Sequence, residues 1–98
     1  MMFSLRIHRH PDEIILAICD EEILGQTFRG DGIKIEVSEG FYGGDIVSAD
    51  EIRNAIRNFT MVNMVGNEIV ELAIAEGIIH PDNVIVIGGV KHAQAVTL

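Results

Sequence analysis

The chain has one cysteine, one tyrosine, no tryptophan, two prolines and little positive charge. Each shortage excludes something. A lone thiol, Cys19, cannot close an internal disulfide, and it ends an apolar run with no basic neighbour to lower its pKa, the setting of a buried and inert cysteine. The longest strongly apolar stretch, residues 84–90, falls far short of the roughly 20 residues a membrane helix needs, so no membrane partner is expected. The N-terminal segment reaches a charge at Arg6 with no continuous apolar region before a small-residue cleavage site, which does not read as a signal peptide. The expected location is the cytoplasm. Seven Lys and Arg stand against 15 Asp and Glu, a net charge of −8. That field repels phosphate backbones and disfavours direct nucleic-acid binding. The few clustered cations, Arg6 with Arg9 and Arg53 with Arg57, read as solvated faces.

What is present is apolar and patterned. Ninety-eight residues at 48% apolar content make one domain, 1–98, with enough material for a core but not for separate catalytic and substrate domains. There are no repeats and no low-complexity linker. Residues 3–9 alternate Phe3, Leu5 and Ile7 with Ser4, Arg6 and His8, the period of a half-buried strand. Residues 13–19 are apolar on both faces and predict a central strand. After it, Asp20 is placed to cap one helical turn that ends at Gly25. Residues 26–37 predict a hairpin about the turn Gly30-Asp31-Gly32.

The second half turns helical. Ser48 and Glu51 form a capping box before a stripe of Ile52, Ala55, Ile56 and Phe59. Residues 62–77 predict a second helix with Ile69, Leu72 and Ala73 inward and Gly77 as its end. Residues 84–87 predict another central strand, and Gly88-Gly89 a two-residue hairpin turn into residues 90–98. Strands, then two helices, then a hairpin define an α+β fold, a two-layer sandwich with a mixed or antiparallel sheet and two main helices on one face. If two strands are apolar on both faces while helices cover only one, the other face calls for a partner, and a homodimer is the expected one.

Several residues carry possible chemistry. In the stretch Phe41-Tyr42-Gly43-Gly44 the glycines sit just before a helix start, as in an anion-cradling loop, but no GxxxxGK[ST] or GxGxxG is present, and Asp45, Asp50 and Glu51 would repel an anion there. A structural turn with both rings over the core edge is the plainer reading; an aromatic recognition surface on Tyr42 is the alternative. His8 and His10 share a strand face and could hold two metal ligands, yet no third is identifiable and no metal is assigned. Alternation puts Val90, His92, Gln94 and Val96 on one face, so an imidazole and an amide interrupt an apolar row, either as a satisfied pair or as a pocket wall. Asn63 and Gly66 weaken the predicted second helix without evident benefit, which points to close packing at those positions. No nucleophile–base pairing, paired carboxylates or cofactor motif emerges.

Read in order, "CDEEILGQTFRG", "KIEVSEGFYGGDIV", "VNMVGNEIVELAIAEGII" and "NVIVIGGVKHAQ" make the chain resemble domain-of-unknown-function family 424 over nearly its whole length. The resemblance implies a small archaeal protein of α+β fold and carries no assigned activity, cofactor or catalytic residue. Two functions follow as expectations. One is a cytoplasmic binding or adaptor module for a basic protein or ribonucleoprotein partner in information processing. The other is a small metabolite-binding protein or enzyme with a pocket of His92, Gln94 and Tyr42. Convergence of His92, Tyr42 and Asn63 at one site separates the second from the first.

Overall fold

The computed structural model describes residues 1–97. Eight strands and three helices follow one another as β1 (Phe3–His10), β2 (Glu13–Asp20), β3 (Thr27–Gly30), β4 (Ile33–Glu36), α1 (Glu39–Tyr42), β5 (Asp45–Val47), α2 (Ala49–Ala55), β6 (Met61–Val65), α3 (Asn67–Ala75), β7 (Ile85–Ile87) and β8 (Val90–Val96). Six strands form one mixed sheet in the order β5-β1-β2-β6-β8-β7, while β3 and β4 pair separately. The fold is α+β, as expected. All neighbours in the large sheet are antiparallel except β2 and β6, which run parallel from Ile15 opposite Met61 to Cys19 opposite Val65.

One sheet face carries the main core. Phe3, Leu16, Ile18, Val62, Met64 and Ala93 are buried there against Ile52 of α2, Ile56 at its C-terminal cap, and Ile69, Val70 and Ala73 from α3. The capping box holds α2 at its start: Glu51 N–H donates to Ser48 Oγ at 3.3 Å and Ser48 N–H to Glu51 Oε1 at 3.2 Å. The helix ends sooner than its apolar stripe, with Ile56 already at the cap position and Phe59 half-buried beyond it.

Three sequence expectations need correcting. Residues 61–65 are not the front of a helix but a strand inserted between β2 and β8, and α3 begins only at Asn67. Gly66, at φ +130°, makes the break. Residues 85–87 form an edge strand rather than a central one, with Ile85 48% and Val86 58% exposed. Apolarity on both faces is not burial on both faces.

The third correction concerns the second sheet face. The chain covers part of it with its own residues: Ala17, Cys19 and Val65 pack with Val37 and Tyr42, backed by Phe28 and Ile35 of the β3–β4 hairpin. Asp31 and Gly32, at φ +50° and +78°, close that hairpin tightly, and its Gly30 lies against the Gly88 backbone. This half of the face therefore asks for no second molecule. The other half, crossed by Ile15, Met61, Gln94 and Val96, is not covered in this way among the described residues.

Candidate functional site on the second sheet face

Register places the candidate residues. Asn63 lies opposite Ala17 on one side and Gln94 on the other, and Val65 lies opposite His92. Gly66 N–H donates to Lys91 O and Thr97 N–H to Thr60 O, so the odd-numbered residues of β8 bond to β6 and the pair Asn63–Gln94 is a non-hydrogen-bonded one. Such pairs bring Cα atoms to about 4.5 Å, which sets the two amides side by side. His92 is two residues from Gln94 on the same face.

Asn63 is only 8% exposed, yet its amide makes no hydrogen bond among the described residues. Buried amides are ordinarily bonded. The amide escapes the desolvation penalty because its polar atoms still reach the surface, beside the short side chain of Ala17. Tyr42 is in the same position: 6% exposed, in the cluster with Ala17, Cys19 and Val65, and with no hydrogen bond from its hydroxyl among the described residues. Burial pushes its pKa up to about 12. Asn63, Gln94 and His92 thus share one face of the sheet, and Tyr42, at the end of α1, packs over the same face through Ala17, Cys19 and Val65. They do not close a deep pocket around themselves: His92 and Gln94 line a shallow hollow of about 320 Å³ with Asn83, Ile85 and Ala93.

Burial also lowers the His92 pKa below its usual 6.5, which favours a neutral ring with one donor and one acceptor. Each amide likewise offers both. The strip presents mixed donors and acceptors with no formal charge; Arg6, in register with Ala17, turns its guanidinium to Gly43 O at 3.2 Å.

Gly43 and Gly44 are held elsewhere. Ser4 Oγ, fully buried, donates to Tyr42 O at 2.7 Å and accepts from Gly44 N–H at 3.1 Å, fastening the end of α1 to β1. A side chain on Gly44 would collide with the Leu5 carbonyl. The two glycines line a separate hollow of about 350 Å³ with Arg6 and Asp45, apart from the amide strip. Phe41 stacks on His8 at 4.8 Å and 18°, while His8 Nε2 lies 2.9 Å from Phe41 O. Among the described residues no group of three His, Cys, Asp or Glu side chains is placed to hold a metal ion.

One polar residue caps a different helix from the one expected. Asp20 precedes a 3-10 turn, Glu21–Ile23, but its carboxylate does not cap it. It reaches instead to α3, where Oδ2 accepts from Glu68 N–H at 3.0 Å and Oδ1 from Ile69 N–H at 2.8 Å. Burial raises its pKa above the usual 3.8, against the pull of these two donors. The anion position at this helix N-terminus is filled by the chain's own carboxylate. The available signal was Gly-Asn-Glu after an apolar run, a strand-to-helix junction. Cys19, next to it, is fully buried, and burial together with the Asp20 charge pushes its thiol up to about 12, which leaves it unreactive.

A small α+β protein with an uncharged polar strip on its sheet is the class that fold and geometry define. The chain belongs to the family described as protein of unknown function (DUF424), whose profile matches residues 8–98. It is similar to an uncharacterized conserved protein from Methanopyrus kandleri, with 29% identity and a TM-score of 0.81 over 100% of this chain and 93% of that one. No curated protein matches.

Proposed function

We propose that the chain is a small cytoplasmic archaeal binding protein, working as a homodimer, that takes a neutral, polar small molecule on the strip formed by Asn63, Gln94, His92 and Tyr42. The observation that carries this reading is Asn63: in a residue only 8% exposed, the amide atoms reach the surface and bond to no partner among the described residues, which leaves them open to an outside one. Gln94 beside it doubles the offer of donors and acceptors. A charged ligand would find no counter-charge on the strip, whereas a primary carboxamide or a nucleobase edge matches two adjacent amides. This favours the metabolite-binding expectation over the adaptor. No group here is placed as a nucleophile or activated base, so binding is what the geometry supports.

The test is a titration of isotope-labelled protein with free nucleobases and simple carboxamides. Shifts confined to the side-chain amides of Asn63 and Gln94, lost in Asn63→Ala, support the reading. A set of ligands that leaves both amides unmoved removes it.

A groove between α2 and α3 gives the adaptor reading a place of its own. Met1, Ala49, Leu72 and Ala75 line about 640 Å³ beside Glu68, Glu71 and Arg53, an apolar floor whose edge carries two acids and one cation, the cation paired with Asp50 and Glu76, and which could take a basic helical segment. Glu71 is already paired with Lys91 at 2.6 Å, which weakens that charge. Capture of a basic partner lost in Leu72→Glu would favour it.

A further inference from the structure

We infer that the free edge of β8, at Gln94 and Val96, is the seam along which two copies of this chain pair, so that their sheets join into one. The inference rests on the homodimer reading above and names its surface.

The argument begins with backbone direction. Because Lys91 and Thr97 bond to β6, the even-numbered residues of β8 turn their N–H and C=O groups the other way. At Val90 and His92 those groups meet β7, which pairs opposite Ile87 and Ile85. There β7 stops. Gln94 and Val96 are left with outward N–H and C=O groups that no strand pairs among the described residues.

An edge of this kind is normally blunted by a charge, a proline or a bulge. Residues 93–97, Ala-Gln-Ala-Val-Thr, contain none of the charged or proline devices. The opposite edge differs: β5 is three residues long and begins with Asp45. Around the β8 edge lie exposed apolar side chains, Val96 and Val86 at 58% and Ile85 at 48%.

The occupant follows from symmetry and charge. An antiparallel strand pair centred on Ala95 sets Gln94 of each copy against Val96 of the other, so every outward donor finds an acceptor from the same two residues, the self-complementary contact a two-fold dimer requires. Copies carrying −8 each repel. The uncharged stretch 93–97 is where that repulsion is least opposed to contact.

The test is native mass spectrometry and sedimentation on the intact chain at high micromolar concentration, comparing wild type with Val96→Pro and Val96→Lys. Proline at 96 removes an outward donor without touching the ladder to β6, so circular dichroism should stay native while the dimer is lost. Ile46→Lys, on the far edge, serves as the control and should leave the dimer intact. Dimeric wild type with monomeric, folded Val96 variants supports the seam. A wild-type dimer indifferent to both Val96 variants overturns the seam and leaves the homodimer standing. A wild-type monomer overturns both, even if the edge then accepts a strand from another protein.

Discussion

The carboxylate of Asp20 occupies the space that a side chain at position 66 would need. A β-carbon on Gly66 would lie against both Asp20 oxygens, and the Gly66 backbone sits at φ +130°, where L side chains rarely go. The same carboxylate accepts from the first turn of α3 across 48 residues of chain. Strand end, glycine and helix start are one unit.

Gly66→Ala is therefore expected to cost about 3 kcal/mol or more, from backbone strain together with a displaced cap. Chemical denaturation checks it. A loss below about 1 kcal/mol would mean the junction relaxes freely.

Asp20→Asn keeps the size but can accept only one of the two helix N–H groups, and should destabilise by about 1–3 kcal/mol. The pH dependence has a definite sign. A carboxyl whose folded pKa is raised contributes stability below the unfolded value, near 3.8, and loses it as pH rises through the folded pKa. The stability gap between wild type and Asp20→Asn should narrow over that window. A gap that widens would show the two N–H donors outweighing burial.

Ser4→Ala leaves Tyr42 O and Gly44 N–H without their shared buried partner, with an expected loss of about 1–3 kcal/mol. Tyr42 is the sole tyrosine and there is no tryptophan, so its fluorescence reports this turn directly. The emission should change in Ser4→Ala before global unfolding begins. Unchanged emission with unchanged stability would show that the turn holds without Ser4.

Alkaline titration of the same residue gives an independent reading of burial. The folded protein should show its tyrosinate absorbance near pH 12, against 10 for the unfolded chain. Stability linked to this ring is present below pH 10 and lost as pH climbs to 12. A transition near 10 in the native protein would place the ring in water.

His92 has the opposite sign. Its folded pKa lies below 6.5 through burial, so the stability it contributes is present above 6.5 and lost as pH falls toward the folded value. His92→Gln should flatten that part of the melting-temperature profile. An equally steep acid loss in the variant would assign it to other groups.

Much of the local structure was legible. The Ser48–Glu51 capping box, the Asp31-Gly32 turn and the alternation of β1 and β8 each depend on neighbours within a few residues, and each forms as read. The α+β class followed from their order. Other readings failed because they assumed that apolar composition reports position in the sheet. Residues 61–65 carry strand and helix patterns equally well; the edge strand 85–87 looks as apolar as a central one.

By itself, then, the sequence determined the caps, the tight turns and which side chains share a strand face, since these follow from backbone geometry over short spans. Only the tertiary structure decided that Asp20 caps a helix rather than its own turn, that the β3–β4 hairpin and α1 cover part of the second sheet face, and that Asn63 stands beside Gln94 with its amide unbonded among the described residues. Those relations join residues tens of positions apart, and strand register, which no local pattern encodes, brings them together.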